Sequence, residues 1–504
     1  MVVGRFFIAA LMSIFLSCQG CGKGGLVDND PNETDDVQPD AEVIMESYTG
    51  MGAQIGGYDD LQQLIGSPTL SEEDWQKVFD RLTFMRPGLV RATGSEGWNY
   101  SIGGVYNPEK SAAVLFKMLD YCQQNDITVI WGEWGHQGGE NIDLDWLDRS
   151  LNFLSYLVND KGYTCVKYFN MVNEPNGDWS SVGGSYVLWR TLINHTYQKM
   201  GEKDLLSKVQ IMGPDATISS AGFTGNQTVT HTFISNTVRD LDDKLGAYDY
   251  HFYPGDNVVE NDKFLISSGA FRRLAPASKD VFITELGFKY EPNTAKGQLN
   301  QQLIDGDPHA ADNANMMVYE SVYAIDASAA LIQLALAGYG GATVWRLDDA
   351  QYRSAGKFTR WGLWNSIGTE YFGNPEDENV RPWFYTTSLL SRYMPKGSTI
   401  LDVNPNRVQG VYAVGAVKDG KYSIAVVNTG TTKRTTKISL QAGLELNGVK
   451  VYSFKAGTRR NFEGEVDANG FPVPESQSSI DFGVLNEYEV EIEASSMMML
   501  TNME

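Results

Sequence analysis

Eight short apolar runs, separated by stretches with helical periodicity, occupy the chain between residues 48 and 394. The runs cover residues 51–57, 88–94, 127–134, 166–175, 209–215, 247–254, 281–288 and 341–349. Near-continuous apolar strands are typical of a parallel sheet that is covered by helices. Eight strand–helix units are the number that closes a (β/α)₈ TIM barrel, which is therefore the predicted fold. A doubly wound open sheet is the alternative, although GAQIGG (52–57) fits its glycine-rich phosphate turn poorly.

The stretches between these runs place apolar residues at helical spacing. Residues 72–85 follow a capping pattern, in which Ser71 precedes Asp74 by three positions. Similar periods predict helices over residues 109–125, 144–160, 185–203, 231–245, 260–275 and 311–338. The segment from Asn293 to Asp312 is instead expected to be a loop beside the barrel mouth.

The sequence changes character after Pro395. Apolar and polar residues alternate there, the turn pairs Asp419-Gly420 and Asn447-Gly448 separate them, and helical periods are missing from the pattern. These features predict a C-terminal antiparallel β-sandwich of about 100 residues. The run at residues 41–48 is a candidate for an additional strand of this sandwich.

The N-terminus has the pattern of an export signal. Arg5 precedes an apolar run over residues 6–16, which is too short to span a bilayer, and Cys18 follows it. The ending FLSC resembles a bacterial lipoprotein signal, which implies acylation of Cys18, with Cys21 as second choice and a plain secreted protein as the alternative. The expected divisions are a signal peptide (1–17), an acidic flexible tether (18–46), the barrel (47–394) and the sandwich (395–504).

Charge narrows the possible partners. Residues 28–46 carry eight acidic residues and no Lys or Arg, so they are expected to form a solvated tether. Together with a lipid anchor, this tether predicts display at the bacterial outer membrane or cell surface, with periplasmic or secreted protein as alternatives. A net charge of −23 argues against nucleic acid and against an anionic membrane surface as partners.

Two carboxylates end largely apolar strands of the predicted barrel, where the loops converge over its mouth. Glu174 ends the fourth strand and Glu285 the seventh, and these strands face each other across the barrel. Two carboxylates across a cleft can hydrolyse a glycosidic bond, because one protonates the leaving oxygen while the other attacks the sugar carbon.

A family resemblance rests on these same residues. NEP at 173–175, together with TE at 284–285, resembles the clan A glycoside hydrolases, and VNEPNGDW (172–179) is especially similar to the WNEPN segment of family 39. Families 30 and 5 share the plan. The resemblance covers roughly residues 48–500 in architecture, with few sharp motif matches. It implies retaining hydrolysis of β-glycosidic bonds, with Glu174 as acid/base and Glu285 as nucleophile.

The resemblance also implies substrate-binding roles. Asn173 matches the amide that contacts the sugar 2-hydroxyl, and Trp345 matches the indole on which the sugar stacks. Arg91 matches a group that lowers the pKa of the nucleophile. Tyr253 on the sixth strand matches a hydroxyl that keeps the nucleophile ionised. His251, two residues before it, and Arg91 are also expected to bind substrate.

Residues after the third and eighth strands are further candidates. Trp134 and His136 are expected to contact substrate, whereas Glu133 is expected to pair with the Arg91 guanidinium. Aromatic residues also follow strand eight: Tyr352, Trp361 and Trp364. They either form a platform for further sugars or fill the barrel rim against the sandwich.

Other chemistries have little support in the sequence. The five histidines lack metal-binding spacing, and neither a cofactor fingerprint nor a serine-hydrolase elbow is present, so no metal or cofactor is expected. Cys122 and Cys165 could pair or remain free thiols. The alternative to the hydrolase is a non-catalytic surface glycan-binding lipoprotein, and an inverting or transglycosylating enzyme is a third hypothesis. The sugar, endo or exo action and the oligomeric state stay open.

Overall fold

The computed structural model describes residues 41–504 except 57, 59–69, 137–140, 220–227, 256–257, 355, 441–442 and 484–485. The expected signal peptide, the candidate lipidation sites Cys18 and Cys21, and most of the tether lie outside the described residues. Within them, no helix has the length and apolarity that a membrane span requires.

The eight apolar runs form a closed barrel of parallel strands, as predicted. In chain order the strands are β1 (Gly50–Gly56), β2 (Leu89–Gly94), β3 (Thr128–Glu133), β4 (Val166–Asn170), β5 (Gln210–Ser219), β6 (Ala247–Tyr253), β7 (Val281–Leu286) and β8 (Gly341–Val344). β8 pairs with β7 on one side and with β1 on the other, Thr343 lying opposite Gly52. This last pairing closes the sheet and rules out the doubly wound alternative.

Helices follow the barrel strands and cover them. They are α1 (Glu72–Met85), α2 (Leu115–Gln124), α3 (Leu144–Ser155), α4 (Tyr186–Glu202), α5 (Thr228–Leu241), α6 (Lys263–Arg272), α7 (Ala295–Gly306), α8 (Ser321–Leu336) and α9 (Pro382–Tyr393), with a shorter helix at Gly368–Phe372. The predicted capping box of α1 forms, because the Ser71 hydroxyl accepts from Asp74 N–H while the Asp74 carboxylate accepts from Ser71 N–H.

α7 corrects the prediction of a loop between Asn293 and Asp312. The Thr294 side chain caps this helix by accepting from the Gly297 N–H. Its apolar residues are few: Ile304 is buried, and Leu299 and Leu303, one turn apart, are partly buried against the core. This short apolar stripe lies among polar residues and was not recognised as a helix.

The C-terminal region forms the predicted antiparallel sandwich. Its strands are β9 (Thr399–Asp402), β10 (Val411–Lys418), β11 (Lys421–Asn428), β12 (Arg434–Ser439), β13 (Glu445–Ala456), β14 (Phe462–Glu463), β15 (Ser476–Asp481), β16 (Glu487–Ile492) and β17 (Ser496–Thr501). The strand Glu42–Met45 pairs with β9, so the candidate extra strand is real. β12 and β16 form a second layer, whose Ile438 and Val490 pack against Val411 and Val426 of the larger sheet.

α8 joins the two parts of the fold. Almost all of its residues are buried, because the barrel lies on one side of it and the sandwich on the other. Tyr412, Val414 and Val427 of β10 and β11 share one apolar core with the barrel.

Elsewhere in the barrel, Cys122 and Cys165 are buried free thiols.

Candidate active site

Glu174 and Glu285 line one cavity of about 360 Å³ at the carboxyl ends of the barrel strands. The side chains around it are mainly aromatic or amide-bearing: Trp134, Asn173, Trp179, Tyr253, Lys289, Asn313, Trp345, Tyr352, Thr359 and Trp361. A larger cavity of about 690 Å³ lies between α1 and the sandwich, away from the strand ends. Of these two cavities, only the first lies where the barrel strands end and contains the two predicted carboxylates.

The two carboxylates approach each other closely. One oxygen of Glu174, one oxygen of Glu285 and one ring nitrogen of His251 all lie within 4.8 Å of one another. Glu174 takes a left-handed backbone conformation with φ of 46°, just beyond the last residue of β4. A non-glycine residue in this region is strained, and such strain often accompanies a functional site.

Glu285 is buried among donors. Its Oε1 accepts from the Arg91 Nη1 at 2.5 Å, and its Oε2 accepts from the Tyr253 hydroxyl at 2.5 Å. His251 Nδ1 lies 3.4 Å from the same Oε2. Burial raises the pKa of Glu285, although the charges of His251 and Arg91 and the hydrogen bond from Tyr253 oppose this rise.

Glu174 has a different environment. Its Oε1 contacts His251 Nδ1 at 3.1 Å, and its Oε2 accepts from the Trp179 indole N–H at 2.8 Å. Burial alone would raise the pKa of Glu174, but the hydrogen bond and charge of His251 and the charge of Lys289 lower it. The two carboxyls therefore differ in their hold on a proton, since the pKa of Glu174 is lowered and that of Glu285 is raised.

A buried carboxylate beneath the cavity connects these groups. Asp215, at φ of 57° within β5, accepts from the Arg91 Nη2 and contacts His251 Nε2, each at 2.9 Å. It also accepts from the Glu174 backbone N–H at 3.3 Å. Asp215 thus orients Arg91 beside Glu285 and the imidazole of His251 beside Glu174.

Asp249 lies below Asp215 and has no cation as partner among the described residues. Its carboxyl oxygens accept from the Asp215 N–H at 2.9 Å, Asn170 Nδ2 at 2.8 Å and the Thr284 hydroxyl at 3.1 Å. Burial, followed by the charge of Asp215, raises the pKa of Asp249 well above its usual value. For Asp215 the charges of Arg91 and His251 outweigh burial and lower the pKa, so Asp215 is the anion that faces both cations.

His251 gives the site a measurable pH dependence. Burial would lower its pKa, but the carboxylates of Asp215 and Glu285 raise it from 6.5 to about 10. The folded state binds this proton more tightly, so its stabilisation is complete below pH 6.5 and disappears as pH rises through about 10. We expect the melting temperature to fall across this window, and to fall less in His251→Gln. Superimposable pH profiles of the two proteins in thermal unfolding would contradict this expectation.

The structure brings most predicted site residues together. Asn173, Tyr253, Trp134 and Trp345 line the cavity with the two carboxylates. Asn173 Oδ1 accepts from the Arg91 Nη2 at 3.0 Å, which directs its amide N–H groups away from Arg91. Trp345 packs in one aromatic cluster with Tyr253 and Trp361.

Arg91 and His251 differ from the expectation that they touch substrate. Both are fully buried and neither lines the cavity. His251 contacts Asp215 and the two carboxylates, and Arg91 contacts Asp215, Glu285, Gln54 and Asn173. They are therefore positioning residues in this geometry.

His136 and Glu133 are corrected by the structure. His136 does not line the cavity; it is buried, with its ring 5.5 Å from that of Trp146 in α3, because the chain turns at Gly135 with φ of 104°. Glu133 accepts from the Ser150 hydroxyl at 3.0 Å and has no contact with Arg91. Alternation along the strands explains this, since the Glu133 side chain points to the helices and that of Arg91 points into the barrel.

Several cavity residues were missing from the predicted site. Trp179 and Lys289 line the cavity, five and four residues after Glu174 and Glu285 respectively. Their proximity in sequence to the two carboxylates was the available signal. Of the tryptophans after β8, Trp361 lines the cavity, whereas Trp364 is fully buried and donates to Asp348 at 2.9 Å, filling the rim.

Glu174, Glu285 and His251 are close enough to hold a metal ion, but their chemistry opposes it. Arg91 and Tyr253 already occupy the Glu285 oxygens. The imidazole retains its proton to about pH 10, and a metal ligand must release it. A divalent cation would also lie beside the buried Arg91 guanidinium, so this donor set fits a metal poorly.

The combination of a barrel and a β-sandwich is a fold that this chain shares with solved glycoside hydrolases of families 30, 39 and 51. No protein-family model matches the chain, and no curated protein matches it. The resemblance to clan A hydrolases is thus confirmed at the level of fold.

Three solved structures illustrate the likeness. A family 30 endoxylanase from Clostridium papyrosolvens has a TM-score of 0.55 and 15% identity, with 91% of this chain and 97% of that chain covered. A family 51 α-L-arabinofuranosidase from Bifidobacterium longum gives 0.61 and 13%, with 92% and 97% covered. A family 39 enzyme from Xanthomonas axonopodis pv. citri gives 0.55 and 13%, with 92% and 95% covered.

Proposed function

We propose that this protein is a retaining glycoside hydrolase that acts on an oligo- or polysaccharide. The carrying observation is the approach of Glu174 and Glu285, whose nearest ligand atoms lie within 4.8 Å across the cavity. Retaining enzymes place their carboxyls about 5 Å apart, whereas inverting enzymes need a wider gap of about 6.5–9.5 Å to admit a water. The aromatic lining supports a sugar as ligand, because indole and phenol rings stack on its C–H faces.

In this proposal Glu285 attacks the anomeric carbon while Glu174 gives a proton to the leaving oxygen. Arg91 and Tyr253 fix the attacking carboxylate in place through the two 2.5 Å hydrogen bonds. The resulting glycosyl ester is hydrolysed when Glu174 takes a proton from the incoming water. Asn173 supplies amide N–H groups beside both carboxylates, where a sugar hydroxyl would lie.

Substrate binding must change which of the two carboxyls, Glu174 or Glu285, holds the proton in this structure. There the pKa of Glu174 is lowered and that of Glu285 is raised, whereas catalysis needs a protonated Glu174. A sugar that fills the cavity removes water from the partly exposed edge of Glu174 and separates it from Lys289, and both changes raise its pKa. When Glu285 attacks, its carboxylate becomes an ester and loses the negative charge that lies beside His251.

Product stereochemistry tests the proposal. The chain is incubated with a panel of polysaccharides and aryl glycosides, and the configuration of the first product is followed by NMR, with Glu285→Gln as control. A product of retained configuration, which Glu285→Gln no longer forms, supports the proposal. Inversion contradicts the mechanism, and binding without turnover by the unaltered chain supports a glycan-binding protein instead.

We further propose a lipid anchor at Cys18, based on the FLSC signal and the acidic tether. A bacterial cell that expresses the full chain is expected to incorporate labelled palmitate into it and to retain it in the membrane fraction. Cys18→Ala should abolish both, while Cys21→Ala should not. Labelling that persists in Cys18→Ala and stops in Cys21→Ala would move the site to Cys21.

A further inference from the structure

A third cavity, of about 620 Å³, lies where the barrel meets the sandwich, and three arginines line it. Arg360 comes from the segment after β8, whereas Arg459 and Arg460 belong to the turn between β13 and β14. This arginine cavity shares no lining residue with the candidate active site. Because the chain has a net charge of −23, three arginines around one cavity need a physical explanation.

The acids that line the arginine cavity neutralise one of its three arginines. Arg360 is buried, and its guanidinium pairs with Asp307 at 3.0 Å and with Asp377 at 2.8 Å. These two residues are the carboxylates of the lining. Both are already used by Arg360, so the positive charges of Arg459 and Arg460 are left over.

Arg459 and Arg460 are exposed, and neither side chain donates a hydrogen bond to an acid among the described residues. One acid comes near: an oxygen of the buried Glu320 lies 3.4 Å from the Arg459 Nη2, but it accepts no hydrogen bond. Glu320 thus balances at most one of the two charges, and it leaves the guanidinium donors of both arginines available to a ligand.

The turn that carries these arginines is held in an unusual backbone conformation. Arg459 has a left-handed φ of 62°, which strains a residue other than glycine. Its carbonyl oxygen accepts from the N–H and from the hydroxyl of Ser321, each at 2.8 Å, at the first residue of α8. The Gly457 N–H donates to Asn461 O at 2.9 Å and closes the turn. The barrel helix therefore holds the turn, and its two arginines, beside the cavity.

Arg460 stacks on an aromatic ring that is itself fixed. Its guanidinium carbon lies 4.5 Å from the centroid of the Tyr319 ring. The Tyr319 side chain is buried, and its hydroxyl donates to Asp377 at 2.7 Å. A guanidinium that stacks through its face keeps the N–H donors of its edge for other partners. This edge suits the two oxygens of a carboxylate.

We propose that the arginine cavity binds an acidic saccharide, whose carboxylate is held by Arg459 and Arg460. Ligand sites typically have volumes of about 300–1,000 Å³, so a cavity of about 620 Å³ has room for more than an inorganic anion. Gln302, Asn374 and His309 also line the cavity, and their amide and imidazole groups can bond sugar hydroxyls. The cavity is separate from the candidate active site, so this binding does not depend on the proposed hydrolysis.

Calorimetric titration with oligogalacturonate, inorganic sulfate and neutral xylo-oligosaccharide tests this site. The full chain carries Glu285→Gln, so that hydrolysis adds no heat. Oligogalacturonate is expected to bind, and Arg459→Ala combined with Arg460→Ala should weaken it at least about tenfold. The corresponding pair of lysine substitutions should restore only part of this loss, since an ammonium lacks the fork of a guanidinium. Arg434→Ala combined with Lys421→Ala is the control, because it removes two exposed cations of the sandwich that do not line the cavity.

Equal oligogalacturonate affinities of the parent and the Arg459→Ala, Arg460→Ala pair would overturn the inference, as would an equal loss in the control pair. The absence of binding to the parent at millimolar concentration would also overturn it. Sulfate that binds as tightly as oligogalacturonate would exclude a saccharide as the ligand. Any affinity for xylo-oligosaccharide should be unchanged by the alanine pair. An unaltered chain that hydrolyses no glycoside would contradict the proposed function and leave these titrations valid.

Discussion

Replacing Glu285 with glutamine is expected to lower kcat on the order of 10⁴-fold or more, because the amide cannot attack the sugar carbon. Glutamine keeps the shape of the side chain, and its one oxygen can still accept from Arg91 while its NH₂ group donates to the Tyr253 hydroxyl oxygen. The loss should therefore appear in turnover and leave folding nearly unchanged. Initial rates on the best substrate, with circular dichroism of the same preparation, make the measurement.

Glu133→Gln is the matched control, since this buried carboxylate lies on the helix side of β3 and accepts from Ser150. Burial raises the pKa of Glu133 to about 8, so it is already largely neutral near pH 7. Its replacement should leave the rate near that of the unaltered chain. Near-normal turnover by Glu285→Gln would show that Glu285 is not the nucleophile.

Glu174→Ala should lose acid catalysis. Its rate should recover when azide is added, because azide attacks the glycosyl-enzyme without a general base.

Replacing Arg91 with leucine is expected to lower the free energy of unfolding by about 3–5 kcal/mol, because it leaves two buried carboxylates with His251 as their one remaining cation. Arg91 is fully buried and pairs with Glu285 at 2.5 Å and with Asp215 at 2.9 Å. Activity should fall as well, since Glu285 loses the donor that orients it. Urea unfolding monitored by tryptophan fluorescence gives the stability difference.

Arg149→Leu provides the comparison, because Arg149 pairs with Glu96 at 2.6 Å on the partly exposed surface. Surface pairs contribute about 0–1 kcal/mol, so this variant should unfold almost like the unaltered chain. Similar losses in both variants would show that the buried network beneath the cavity has no special role. Arg91→Lys should be intermediate, since an ammonium cannot reproduce the two-pronged contact.

The apolar pattern of the sequence was sufficient to predict the barrel. Eight apolar runs that alternate with helical periods favour a closed barrel over an open sheet, and each strand ends within about five residues of the predicted position. The sequence also placed Glu174 and Glu285 at one end of the barrel, because the carboxyl ends of parallel strands meet at the same edge. α7 escaped prediction because its apolar stripe is limited to Leu299, Leu303 and Ile304 in an otherwise polar segment.

The groups that surround those carboxylates became evident only from the folded chain. Asp215 and Asp249 looked like ordinary strand residues, yet closure of the sheet brings Asp215 to Arg91, 124 positions away in the chain. Strand alternation sent Glu133 outward, and a single turn at Gly135 carried His136 away from the cavity. Periodicity is a local property that a sequence displays directly, whereas contacts across a closed barrel depend on register and side-chain direction, which are fixed when distant strands pair.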